Sequence, residues 1–202
     1  MKIFKYGQKE IDYLKGKDKR LARAIDRIGP IERQLIPDLF TALVNSIVGQ
    51  QISSKAAETV WNRLVDLIDG DFTPQAILSK SPEQIQKCGM TNRKVFYIQD
   101  AAEKIVTGKF NIDELRDLPD KEVKNRLTTL NGIGEWTAEM LMIFSMQRPD
   151  ILSWGDLGIK KGIMMLYGHK TLDRTRFERY RKRYSPYASV ASLYLWEISA
   201  GK

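Results

Sequence analysis

The stretch Leu127-Thr128-Thr129-Leu130-Asn131-Gly132-Ile133-Gly134-Glu135-Trp136-Thr137-Ala138 joins two helical patterns through a turn with glycine at two of three positions. Glycine tolerates positive φ and, lacking a Cβ, lets a second backbone come close. Ile133, between the two, is expected to point down and pin the turn to the core. The amides of Gly132 and Gly134 then face outward at the start of the next helix. Backbone N–H groups so placed form an anion site suited to a phosphate. Such a contact holds a nucleic-acid backbone and carries no sequence information. Taken alone, Gly-Ile-Gly also fits an ordinary corner between two helices, so the flanking chain has to decide.

On both sides of this turn the apolar residues keep helical spacing. Leu39, Leu43 and Ile47 form one stripe, and Ala57, Val60, Trp61, Leu64, Leu67 and Ile68 a second. Val95, Ile98, Ala102 and Ile105 form a third, and Val190, Leu193 and Ile198 line a late helix. Recurrence at three and four residues marks a helix with one buried face, and alternation over a strand length is hard to find. Asp38 and Ser53 are expected helix N-caps. Ser81-Pro82-Glu83-Gln84 combines a capping serine, a proline at the first helical position and a glutamine that closes the capping box. Breaks are expected near Gly29-Pro30, Asp69-Gly70-Asp71, Gly89, Gly108, Pro119 and Gly168. The pattern predicts an all-α chain of about ten to twelve short helices with little or no sheet.

Composition narrows the function classes. The 202 residues are 43% hydrophobic and 29% charged, the balance of a globular chain. A net charge of +8 favours a polyanionic partner, because each Lys or Arg near a phosphate releases condensed counterions. The single cysteine, Cys88, excludes a disulfide framework and a four-cysteine zinc or iron–sulfur site within one chain. The single histidine, His169, has no partner motif around it for a triad or a metal. The N-terminal Met1-Lys2-Ile3-Phe4-Lys5-Tyr6 lacks the apolar core of a signal peptide, and no apolar run is long enough to span a membrane. The expectation is an intracellular protein, cytoplasmic if the source is a prokaryote.

Four strings together carry more than any one of them. The hairpin Leu-x-Gly-Ile-Gly with Trp136-Thr137-Ala138 is the first. Ser153-Trp154-Gly155-Asp156-Leu157-Gly158-Ile159-Lys160 follows it, Phe40-x-x-Leu43-Val44-x-Ser46-Ile47-Val48-Gly49-Gln50-Gln51-Ile52-Ser53 precedes it, and Ser189-Val190-Ala191-Ser192-Leu193-Tyr194-Leu195-Trp196 closes the chain. In this order and spacing they resemble the helix-hairpin-helix DNA glycosylase superfamily, close to 3-methyladenine DNA glycosylase II. The resemblance covers most of residues 30–200, and the chain's size fits the compact members that lack an N-terminal β domain. It implies an all-α, two-lobed fold with a cleft between lobes of about residues 51–146 and 1–50 plus 147–202. It also implies a monomer that acts on damaged double-stranded DNA, has no membrane partner, and excises alkylated purines such as 3-methyladenine and 7-methylguanine in base excision repair.

The chemistry then falls on particular residues. Breaking an N-glycosidic bond makes the sugar oxocarbenium-like, and a nearby carboxylate stabilises that charge and can orient water or accept its proton. By resemblance Asp156 is that carboxylate; it also suits a helix N-cap, and both roles can hold at once. Bifunctional relatives carry a nucleophilic lysine two residues after the second hairpin glycine. Trp136 stands there in this sequence, which implies hydrolysis by water and no AP lyase activity. Trp136 and Trp196 match pocket aromatics of the family, with Phe40 and Trp154 as weaker candidates; electron-rich rings grip a cationic alkylpurine by stacking and cation–π attraction. Met140 replaces a tyrosine of some relatives, which leaves open other lesions such as hypoxanthine, ethenoadenine or oxidised bases.

The base must leave the stack to be reached. Gln51 matches the wedge position that fills the gap, in a Gln50-Gln51-Ile52-Ser53 loop that otherwise only links two helices. Gln50, Gln51, Ser53, Gly132, Gly134 and Thr137 are the expected DNA contacts. The resemblance implies no catalytic cofactor, only a structural Na⁺ or K⁺ on the backbone carbonyls of Thr128, Leu130 and Ile133. Lys94 matches a lysine of the family pattern without a role that follows from sequence. The run Arg174–Arg183 reads as a solvated helix face that could instead flank the DNA. A non-catalytic DNA-binding module is the competing class, and it would need neither Asp156 nor the aromatics.

Overall fold

The computed structural model describes residues 2–202. Among them, twelve α-helices and one 3-10 helix follow in order: α1 (Gln8–Lys17), α2 (Lys19–Ile28), α3 (Leu39–Gly49), α4 (Ser54–Leu67), α5 (Pro74–Leu78), α6 (Pro82–Gln86), α7 (Asn92–Val106), the 3-10 helix (Asp113–Arg116), α8 (Asp120–Leu127), α9 (Glu135–Phe144), α10 (Leu157–Tyr167), α11 (Arg174–Tyr184) and α12 (Ala188–Ser199). Extended pairing among the described residues is a single antiparallel bridge, Ile3 with Gln34. No helix among them is long and apolar enough to cross a membrane.

Local signals set these boundaries. Asp38 accepts the Thr41 amide at 2.7 Å and Ser53 the Ala56 amide at 3.3 Å, so both cap the helices assigned to them. Ser81 and Gln84 close a reciprocal capping box at 3.3 and 2.8 Å, with Pro82 at the first helical position. The glycine and proline breaks fall at the ends of α2, α4, α6, α7 and α10 and at the start of α8. The basic run forms α11, which buries Phe177, Tyr180 and Tyr184 and pairs Arg174 and Arg181 with Glu178.

The chain divides into two compact units, residues 36–141 and residues 1–35 with 142–202. These units divide the chain after residues 35 and 141, where the resemblance implies approximate lobes divided near residues 50 and 146. The first division differs because α3 packs on α4 and α7. Within the continuous unit, Leu43, Val44 and Ile47 of α3, Leu64 of α4, Ile98 of α7 and Leu127 of α8 are fully buried. Burying a leucine or isoleucine contributes about 1.5–3 kcal/mol. This core fixes where α3 ends, where α7 begins and where the 127–138 hairpin turns.

In the other unit α10 and α12 lie close together. A Cβ on Gly162 would overlap the Leu195 backbone carbonyl, so this glycine sets the spacing of the pair. Backbone cannot yield as a side-chain tip can. Gly162→Ala is expected to destabilise the fold by about 3 kcal/mol, the upper end for over-packing, read as a lower urea midpoint at unchanged m. At the α1–α2 corner, burial opposes ionisation of Asp18. Bonds from Tyr167, the Leu21 amide and Arg183 outweigh it and hold the carboxyl below its usual range.

Candidate active site

In the unit of residues 36–141, α3 ends at Gly49 and the 50–53 loop that follows carries four exposed or half-buried side chains. Gln50 donates through Nε2 to the Gly132 carbonyl at 2.8 Å. Gln51 is exposed and holds a φ of +55°, a left-handed conformation that side chains other than Gly, Asn and Asp seldom adopt. Ile52 is 40% exposed. Ser53 spends its hydroxyl oxygen on the α4 cap, and the first residues of α4 lie exposed behind it.

The hairpin is built as its sequence suggests, but its two glycines serve different ends. Gly132 has φ +82°, and a Cβ there would overlap the Tyr97 ring. Gly134 has no such constraint, and a Cβ on it would meet nothing within 4 Å. Gly134 is exposed and opens α9 through its carbonyl, which accepts the Ala138 amide at 2.9 Å. Ile133 is buried and pins the turn. Asn131 ties the turn to α7 by a 3.0 Å bond to Asp100, itself paired with Lys104.

Trp136 sits at the second residue of α9 and is 47% exposed. A cavity of about 730 Å³ brings together Gln50, Gln51, Gly132, Trp136, Thr137 and Met140 with Lys94 and Tyr97. Thr137 is 7% exposed and faces this cavity, so its side chain is not presented on the outer surface. Phe40 is a core residue at 4% exposure and does not line the cavity.

The other unit carries the carboxylate. Asp156 precedes α10 and is 7% exposed. Its Oδ1 accepts the Ile159 amide at 2.8 Å, an N-cap, and the Trp196 indole N–H at 3.0 Å. Two donors from different helices therefore fix the orientation of the carboxylate. Gly158 makes this possible, since a Cβ there would stand 2.9 Å from Trp196 Cδ1. Trp196 also stacks on Phe144, with centroids 5.6 Å apart and planes at 30°. Trp154 meets Phe177 edge-on and has Lys160 and Arg174 at 4.9 and 5.3 Å from its ring centroid. A ring already flanked by two cations is a poor platform for a positively charged base.

The carbonyls of Thr128, Leu130 and Ile133 are an all-oxygen donor set of the kind a monovalent cation takes. Leu130's carbonyl already accepts the Ile133 amide at 3.1 Å and keeps one lone pair for an ion. Among the described residues no cluster of three His, Cys, Asp or Glu side chains could hold a metal.

Sequence reasoning gave no role to Lys94. Its ammonium donates to the carbonyls of Val48 at 2.8 Å and Gln50 at 2.7 Å, the last turn of α3 and the loop after it. Burial pushes its pKa below the usual lysine range. Tyr97, which supports Gly132, and Asp100, which holds Asn131, follow at three-residue intervals on α7. That polar spacing beside the apolar stripe was the available signal.

Comparisons with known proteins place the chain in a family. The model of the HhH-GPD superfamily base excision DNA repair protein matches residues 44–186, which include the 50–53 loop, the hairpin and Asp156. DNA-3-methyladenine glycosylase 1 of Schizosaccharomyces pombe is 32% identical over 188 residues, covering 90% of this chain and 81% of that one. DNA-3-methyladenine glycosylase of Saccharomyces cerevisiae is 28% identical, covering 82% and 68%. Among solved structures, a DNA-3-methyladenine glycosidase from Bacillus halodurans superposes with a TM-score of 0.88 at 36% identity, covering 98% of this chain and 93% of that one. The Schizosaccharomyces pombe 3-methyladenine DNA glycosylase in complex with abasic DNA gives 0.80 at 29% identity, covering 94% and 96%. With its helical architecture, its glycine hairpin and these matches, the chain belongs to the HhH-GPD superfamily of base excision DNA repair proteins.

Proposed function

We propose that this chain is a monofunctional DNA glycosylase that hydrolyses the N-glycosidic bond of alkylated purines in duplex DNA, 3-methyladenine and 7-methylguanine foremost. The observation that carries the reading is Asp156, a buried carboxylate whose orientation is fixed by the Ile159 amide and the Trp196 indole. A helix cap alone needs no second donor from α12. The relatives named for 3-methyladenine supply the substrate class.

In this mechanism the exposed turn at Gly134 and the N-terminus of α9 receive a DNA phosphate. Gln51, held out on its loop, enters the stack as the base leaves it. The Trp136 indole, beside an open cavity large enough for a purine, stacks on the extruded cationic base. An alkylpurine departs readily because its ring already carries positive charge. The work left to the protein is to stabilise the sugar cation, which Asp156 does by charge, and to orient the water that attacks C1′. The water's proton passes to the carboxylate, and the products are the free base and an abasic site.

Trp136 decides between hydrolysis and lyase chemistry, because an indole cannot form a Schiff base. Borohydride treatment during turnover is expected to trap no protein–DNA adduct, and strand breaks are expected only after alkali. A trapped adduct would contradict the monofunctional reading and direct attention to Lys94, the amine that lines the same cavity.

A further inference from the structure

We propose that Lys94 is a positioning residue that, with Gln50, latches the 50–52 loop to the hairpin, so that Gln51 meets the duplex already in its inserting conformation. This rests on the reading of Gln51 as the wedge. Three bonds make the latch. One ammonium bridges the Val48 and Gln50 carbonyls, and the Gln50 side-chain amide reaches the Gly132 carbonyl. The loop is thereby fixed on one side to α3 and α7 and on the other to the turn that holds the phosphate.

Several observations favour a latch over a general contribution to stability. Carbonyls at a helix C-terminus attract a cation, but a surface lysine meets that need without desolvation. Here the ammonium is partly withdrawn from water, which pushes its pKa down, in order to hold both carbonyls at once. The bonded loop residues, Val48 and Gln50, run directly up to Gln51, the one residue of this loop with positive φ. A left-handed glutamine on a free loop would relax to ordinary backbone conformations, so its neighbours must hold it. The hairpin end of the latch links wedge and phosphate site, so that docking of the backbone and entry into the stack occur in one register.

The test compares wild type with Lys94→Met, Lys94→Arg, Gln50→Leu and the Lys94→Met/Gln50→Leu double variant, each normalised to its folded fraction. Three quantities are read: affinity for undamaged duplex, single-turnover release of methylpurine, and fluorescence of 2-aminopurine placed opposite a non-cleavable abasic analogue. Lys94→Met is expected to slow release at least about tenfold and cut the fluorescence rise at least about threefold, with duplex affinity within about twofold. Lys94→Arg keeps the charge but not the compact ammonium and is expected to recover part of both signals. The double variant is expected to be no worse than the poorer single one, since both act through one loop.

Release and fluorescence within about twofold of wild type for both single variants would overturn the latch. So would a loss of undamaged-duplex affinity in step with release, which would make Lys94 a phosphate contact. Should Lys94→Met fold poorly, Gln50→Leu breaks the latch at its other end and decides the matter. Absence of release by wild type would count against the glycosylase reading, while the fluorescence arm, which needs no cleavage, still reports on the latch.

Discussion

Asp156→Asn is expected to slow methylpurine release by about a hundredfold to a thousandfold while leaving duplex affinity and folding nearly unchanged. The separation follows from the two bonds at Oδ1. An asparagine oxygen can still accept from the Ile159 amide and the Trp196 indole, and asparagine is as good an N-cap as aspartate. What is lost is the negative charge, and that charge is what stabilises an oxocarbenium-like sugar. Asp156→Ala would be the poorer experiment, because it also removes the cap of α10 at a cost of about 1 kcal/mol. Single-turnover release and equilibrium binding to the same labelled duplex check the prediction. A variant that keeps more than about a tenth of the rate would show that Asp156 is a cap and the chemistry lies elsewhere.

The second large effect is expected at the hairpin, where its glycines should part company. Gly132→Ala places a Cβ at φ +82° against Tyr97. Strain and displacement together should cost about 2–4 kcal/mol and disorder the turn, weakening duplex affinity at least about tenfold. Gly134→Ala meets nothing within 4 Å and loses only a favoured cap residue, at most about 1 kcal/mol. Its effect should appear instead in duplex affinity, where the added methyl group stands between the turn and a phosphate. Thermal or urea unfolding beside binding separates the two. Equal loss of stability in both variants would contradict the assignment of a packing role to Gly132 and a DNA-facing role to Gly134.

Much of this was legible in the chain because local signals and tertiary packing agree. Asp38, Ser53 and Ser81 cap the helices they were expected to cap, and the Gly and Pro breaks fall at helix ends, since capping and φ restrictions act within a few residues. The unit boundary at residue 35 was not legible, because the place of α3 is decided by what it packs on and not by its own spacing. The surroundings of the aromatic candidates were hidden for the same reason. Phe40 and Trp196 are both aromatic residues on helical stripes, yet one fills a core and the other donates to Asp156. Trp154, a weaker pocket candidate from its place beside Asp156, has Lys160 and Arg174 against its ring, neighbours that its own spacing does not reveal. For Lys94 the polar spacing on α7 marks a face, but its role needed three dimensions, as its partners lie 44 and 46 residues away.

The most direct test of the account is release of free purines from a duplex methylated at random with dimethyl sulfate, measured by chromatography of the ethanol-soluble fraction. The account predicts that wild-type protein frees 3-methyladenine and 7-methylguanine while the strands stay intact until alkali is added. Tight binding to the same duplex with no release of either base would contradict it and leave the chain as a hairpin module that holds DNA without cutting its glycosidic bonds.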